Sequence, residues 1–165
     1  MEQILNDLSA QTSIPWQVIA TRLLGAVFFC GLIGLERETR RRAAGLRTHM
    51  LVGLAAALYC LIMLEVLNDS AHAADRVSMD PLRLVEAVTS GVAFLAAGMI
   101  VFSQGKVRGL TTGTSLWLAA GVGLSAGFGM WLMAVVATIL ALIIIRGIKV
   151  AEGIAHDDDD EAKEP

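Results

Sequence analysis

The chain has 165 residues, 55% of them hydrophobic and 18% charged, with a formal net charge of −3. That apolar share excludes an ordinary soluble domain and leaves no room for a large one beside the membrane-spanning helices it implies. The negative total is set by the C-terminus, where six of the sixteen carboxylates lie between Asp157 and Glu164, so the remainder of the chain is net positive.

Met1–Pro15 holds Glu2 and Asp7 but no Lys or Arg. An acidic start without a small-residue cleavage pattern argues against a cleaved signal peptide, and residues 1–15 read as a periplasmic segment. Five apolar segments follow, at Trp16–Leu35, Met50–Leu67, Leu84–Phe102, Leu110–Phe128 and Met130–Ile148. Each is close to the length that crosses a bilayer as a helix. A backbone in lipid must satisfy its own hydrogen bonds, so uniform apolar runs read as helices, while a barrel would need short alternating segments. The last two segments are joined only by Gly127-Phe128-Gly129, which predicts a tight helical hairpin.

Arginine and lysine near span ends favour the cytosol. The Glu36–His49 loop carries Arg37, Arg40, Arg41, Arg42 and Arg47, and Ser103–Gly109 carries Lys106 and Arg108. At the end of the last segment stands Arg146, and Lys149 and Lys163 follow it. On the other side, Asn68–Arg83 has only Arg76 and Arg83, set among Asp69, Asp75 and Asp80. The pattern predicts an all-α, polytopic membrane protein with a five-helix transmembrane bundle, N-terminus outside and C-terminus inside. Residues 16–148 form the membrane domain and 149–165 an acidic cytosolic tail, whose Asp157–Asp160 run reads as solubilising rather than metal-binding. The bilayer is the first expected partner, and no nucleic acid is expected.

Small residues supply the packing surfaces. Gly31 and Gly34 share a face of the first helix, Gly109/Gly113 and Gly123/Gly127 have GxxxG spacing, and Ala93/Ala97 is a milder version. In lipid such stripes let backbones approach closely. They fit contacts within the chain or a homodimer equally well. Cys30 and Cys60 both fall inside apolar helices, at depths offset by about 8 Å, and read as buried thiols rather than a disulfide.

Three blocks carry a family resemblance. GLIGLERETRRRAAGLRTHMLVGLAAALY, DPLRLVEAVTSGVAFLAAGMI and KVRGLTTGTSLWLAAGVGLSAGFG stand in order between Arg22 and Phe128. Together they resemble the signature of the MgtC/SapB family of bacterial inner-membrane proteins. Where that family usually has glycines in the middle block, this chain has Ala93 and Ala96, which predicts looser local packing. The resemblance implies a role in adaptation to low magnesium or acid stress, and in pathogens an association with survival inside host cells.

Two groups of residues are candidates for function. At the outer side, Arg22, Glu65 and Glu86 are ionisable groups within or beside apolar segments, where charge is costly and usually paired. Arg22 is expected to pair with Glu86 or Glu65. Such a pair either fixes helix register or leaves a carboxylate free to bind a cation or proton. At the cytosolic side lie Glu36, Arg37, Gly45, Leu46, Arg47, Thr48 and His49, opposite Arg108, Gly109, Thr111 and Thr112. Topology does not require Glu36, which is expected to pair with Arg47 or Arg108. Arg47, Thr48 and His49 alternatively face the Gly109–Thr112 helix start, where free N–H groups and hydroxyls suit an anion or a partner's carboxylate. His49 by itself reads as a cap or a solvated group.

No phosphate loop, no His/Cys cluster and no nucleophile with a base is present in the sequence. The expectation is a protein that is not an enzyme and has no cofactor; the sequence assigns no metal site. Two functional classes remain. One is a regulator that modulates another membrane complex, whose identity the sequence does not give. The other is a magnesium or other cation transporter or channel. Transport would need a continuous polar path, and neither inner-leaflet acids besides Glu36 nor an inverted repeat is evident.

Overall fold

The first helix, α1 (Trp16–Thr39), starts where Pro15, at φ −54° and ψ 135°, turns the chain and its carbonyl accepts from Val18 N at 2.9 Å. The computed structural model describes residues 12–40, 42–72, 80–103 and 106–161. Hydropathy falls at Glu36, yet α1 runs on to Thr39. Helix α2 (Leu46–His72) likewise begins four residues before the second apolar segment. Its first turn is capped from α1, where Glu38 Oε2 accepts Leu46 N at 3.1 Å.

Helix α3 (Pro81–Met99) is N-capped by Asp80, whose carboxylate accepts Leu82 N at 2.9 Å, with Pro81 in the first position, where its missing N–H costs nothing. It ends three residues short of the predicted Phe102. Ile100 is extended, and Val101–Ser103 (β1) pairs antiparallel with Lys106–Arg108 (β2), Val101 opposite Arg108. The all-α expectation thus acquires a small hairpin. Gly109, at φ +92°, then turns the chain into α4 (Leu110–Gly127). A Cβ there would strike the Met99 carbonyl, so both the backbone angle and the space demand glycine.

The predicted hairpin between the last two helices is present. Gly129 has φ +77°, Met130 N bonds Ser125 O at 2.8 Å, and α5 (Trp131–Glu161) follows. This helix passes the predicted end at Ile148 and takes the acidic segment with it as far as Glu161.

Helix α4 is the hub and touches each of the other four helices among the described residues. Its buried stripe includes Leu116, Ala119, Ala120 and Val122. One core layer joins Cys30 and Ile33 of α1 to Ala119 and Val122 of α4 and Ala134 of α5; another joins Ala56 and Cys60 of α2 to Ala120 and Leu124. Cys30 and Cys60 are free thiols, both buried. Close approach depends on glycine, since a Cβ on Gly123 would lie 2.8 Å from Gly53 Cα. The Gly123/Gly127 stripe is therefore spent inside the chain, against α2. At Ala96, the extra methyl sits where a Cβ on Gly113 would meet it at 3.2 Å, so α3 and α4 are in contact there; Ala93 and Ala97 are exposed.

Large apolar side chains such as Leu24, Phe28, Leu51, Phe94 and Leu132 cover the outside, a surface suited to lipid rather than water. Helices α1, α2 (Leu46–Asn68) and α3 are long and apolar enough to cross a membrane; Trp131–Arg146 is a shorter apolar stretch.

Candidate functional site

The basic end of the bundle is built from the last turns of α1, the first turn of α2, the first turn of α4 and Arg146 of α5. Glu36, only 5% exposed, sits between two arginines. Arg40 Nε donates to its Oε1 at 2.6 Å and Arg146 Nε to its Oε2 at 2.8 Å. Each carboxylate oxygen thus has a charge-assisted donor, which is what burial of an ionised acid requires. The expected partners, Arg47 and Arg108, are elsewhere: both are exposed, Arg47 on the far side of α2's first turn and Arg108 on β2. The correction has a simple cause. Arg40 is one helical turn beyond Glu36 on the same face, and α5 brings Arg146 alongside.

Arg37, next in sequence, faces inward and is 2% exposed. Its Nη2 donates to Thr112 Oγ1 at 3.2 Å, while its Nε is buried without a hydrogen-bond partner. Thr112 lies in the first turn of α4, whose N-cap residue Gly109 offers no side chain. The contact with the Gly109–Thr112 helix start, expected of Arg47, Thr48 and His49, is made instead by Arg37.

His49 corrects a second expectation. It is fully buried, neither a cap nor solvated. Nδ1 lies 2.8 Å from Gly45 O and Nε2 3.1 Å from Ser115 Oγ. A carbonyl can only accept, so Nδ1 carries the hydrogen and a neutral ring accepts the serine hydroxyl at Nε2. Ser115 Oγ is also 2.8 Å from Thr112 O, and so has an alternative acceptor. Gly45 is needed beside it, because a Cβ there would lie 2.8 Å from Glu38 Cδ and displace the cap on Leu46. Leu46 packs over Gly31 and Gly34 of α1. The result is a clasp tying α1, α2, α4 and α5 together at one end. Thr111 is exposed at its edge, and Arg47 and Thr48 point away into a lateral groove between α2 and α3.

At the opposite end the predicted charge pair does not form. Among the described residues the ion pairs are the two at Glu36. Arg22 Nη1 donates to Gly127 O at 3.0 Å, on the α4–α5 turn. Glu65 accepts the backbone N–H groups of Ser13 and Ile14, the latter at 3.2 Å. Glu86 is exposed on α3. Equal depth had suggested pairing, but the three side chains leave their helices in different directions.

Sequence reasoning missed Ser115, Arg40 and Arg146 as site members. Ser115 and Thr112 are three apart on one helix face, and Arg40 follows Glu36 by four, so local spacing held both signals. Nothing local announces Arg146.

The family model described as "MgtC family" matches residues 23–154. The chain is 36% identical over 125 residues to "Putative magnesium transporter YhiD" of Escherichia coli K12, covering 76% of this chain and 58% of that protein. It is 40% identical over 120 residues to "Protein MgtC" of Salmonella typhimurium LT2, covering 73% and 48%. With "Protein SrpB" of Synechococcus elongatus it shares 33% over 148 residues, covering 85% and 80%. The chain thus spans about half the length of the first two of these relatives. No solved structure matches it. By the extent of the family match and these identities, this chain belongs to the MgtC family of membrane proteins.

Proposed function

We propose that this protein is an integral, multi-pass inner-membrane regulator, N-terminus outside and C-terminus inside, that modulates another membrane complex when magnesium is scarce or the medium is acid. The observation that carries this reading is the closed clasp at the basic end: Glu36 is tied to Arg146 of α5, and Arg37 and His49 to Thr112 and Ser115 of α4, so that all three polar groups are taken up by contacts between helices. Between the two ends the core is packed with small apolar side chains, and α2 and α4 touch backbone to backbone at Gly53 and Gly123. A rigid bundle of this kind suits a protein that presents a surface to a partner. The arginine distribution supports the orientation, and the exposed loop arginines offer the docking charge.

Magnesium transport is the second reading, favoured by the name given to the Escherichia coli relative. Reconstitution of the purified protein in liposomes, with magnesium influx measured against empty vesicles, separates the two. Background flux, together with recovery of a membrane complex by wild type and its loss with Arg47→Ala, supports regulation. Robust protein-dependent flux overturns it.

A further inference from the structure

Helices α2 and α3 are neighbours that hardly close on one another. Of α3's residues only Val88 is buried, against the second core layer. Between the two helices runs a cavity of about 570 Å³. Its walls are Leu51, Ala55 and Tyr59 of α2 and Val88, Val92 and Leu95 of α3, and at one end stand Arg47 and Thr48. Arg47 is exposed and pairs with no carboxylate among the described residues, and Thr48 is half-buried. Both belong to the first turn of a 27-residue helix whose leading N–H, that of Leu46, is already capped by Glu38, so the side chains of Arg47 and Thr48 supply the polar groups at the mouth.

The groove is therefore amphipathic along its length, with a cationic, hydroxyl-bearing mouth and an apolar body. From Arg47 to Tyr59 is about 18 Å of helix at about 1.5 Å per residue. Half of a bilayer's hydrocarbon thickness is about 15 Å. The cavity thus has the depth of one leaflet. Tyr59 also lines a second cavity of about 600 Å³ that continues toward Asp80 and Arg83, and so marks the boundary between the two. A helix crossing the membrane would need both cavities; one lipid needs only the first.

We propose that this groove is a binding site for an anionic phospholipid of the leaflet at the basic end, its phosphate held by Arg47 and Thr48 and an acyl chain lying along Val88, Val92 and Leu95. Basic pockets between spanning helices recognise lipid headgroups in this way. The charge at the mouth selects the anionic headgroup and the apolar walls hold the chain. Arg47 lies on the opposite face of α2's first turn from His49, and lipid retention is read on the isolated chain, so its outcome is separate from the magnesium-flux and partner-recovery tests of the regulator reading.

Native mass spectrometry of the full chain in neutral detergent tests it, with phosphatidylglycerol and phosphatidylcholine of matched chains offered together. Wild type is expected to retain the anionic lipid with a preference of at least about tenfold, the equivalent of about 1.4 kcal/mol. Arg47→Gln lowers that preference to about unity, Val92→Trp, which fills the groove, removes both lipids, and Arg42→Gln, an exposed loop arginine outside the groove, leaves the preference intact. Equal retention of the two lipids by wild type overturns the proposal. So does an Arg42→Gln loss matching that of Arg47→Gln, which would mean general surface charge. Competition by glycerol 3-phosphate at the lipid's own concentration would also overturn it, because the acyl chain would then contribute nothing. A wild-type dimer abolished by Val92→Trp would assign the groove to a second copy of the chain instead.

Discussion

Glu36 and Arg146, 110 positions apart, meet through a 2.8 Å hydrogen bond between Oε2 and Nε. The two ends of this contact differ in exposure, 5% for the acid and 70% for the arginine. Replacing the acid by its amide removes both charge-assisted bonds at once and leaves a buried neutral group between two arginines. Removing Arg146 leaves Glu36 still held by Arg40. Glu36→Gln is expected to lower stability by about 1–3 kcal/mol, and Arg146→Gln by about 0.2–1 kcal/mol, as for a largely exposed partner. Thermal unfolding in detergent measures both. Equal losses would mean that the arginine, not the buried acid, organises the clasp.

His49 ties α2 to α4 through Ser115, and the same ring donates to the Gly45 carbonyl, which also accepts the His49 backbone N–H. His49→Phe fills similar space but removes two buried hydrogen bonds, the ring's to Gly45 O and to Ser115 Oγ, an expected loss of about 1–3 kcal/mol. Gly45 O keeps the backbone N–H of residue 49, and Ser115 Oγ keeps Thr112 O. Ser115→Ala should cost less, since it strands only Nε2. The two substitutions share one hydrogen bond, so their effects should fail to add by at least about 0.5 kcal/mol. A double-mutant cycle on the unfolding midpoints checks this, and strict additivity would show that the contact contributes nothing.

The helices were readable in the sequence because bilayer thickness fixes their length, and apolar runs report it directly. Their ends were not, because hydropathy records solvent preference while Glu36, Arg37 and His49 are polar groups hidden by partners from other helices. The same blindness hid the hairpin after Met99: an alternation of three residues is too short to stand out beside a long apolar run. Depth could be computed for Arg22, Glu65 and Glu86 by counting residues. Direction around each helix could not, since it depends on which faces pack. Hence the depths of Arg22, Glu65 and Glu86 were legible and their partners were not. For the Gly109–Thr112 helix start the sequence offered Arg47, Thr48 and His49, whereas Arg37 makes the contact, at Thr112.

At the opposite end, Glu65 fastens the segment before α1 by accepting from Ser13 and Ile14, and Arg22 fastens the α4–α5 turn at Gly127 O. These are separate anchors, not two halves of an ion pair. Glu65→Ala is expected to raise amide hydrogen exchange at Ser13 and Ile14 at least about tenfold, with Gly127–Gly129 unaffected. Arg22→Gln should do the reverse. Glu86→Gln, at an exposed site, should change neither. Coupled responses of Glu65 and Arg22 would restore the ion pair that the geometry denies.

Two glycines on α4 separate the close-contact argument from simple helix preference. Gly123 faces the backbone of Gly53, and an added Cβ would lie 2.8 Å from its Cα. Backbone cannot rotate aside as a side chain does, so the helices must part along the layer that also holds Ala120 and Leu124. Gly121, two positions away, has nothing within 4 Å of the same built atom. Gly123→Ala is therefore expected to destabilise the bundle by about 1–3 kcal/mol through overpacking. Gly121→Ala should be neutral or gain up to about 1 kcal/mol from helix propensity. Unfolding midpoints of the two variants in the same detergent compare them directly. If both fall alike, the α2–α4 contact is not what holds these helices together, and the rigid-scaffold basis of the regulator reading fails with it.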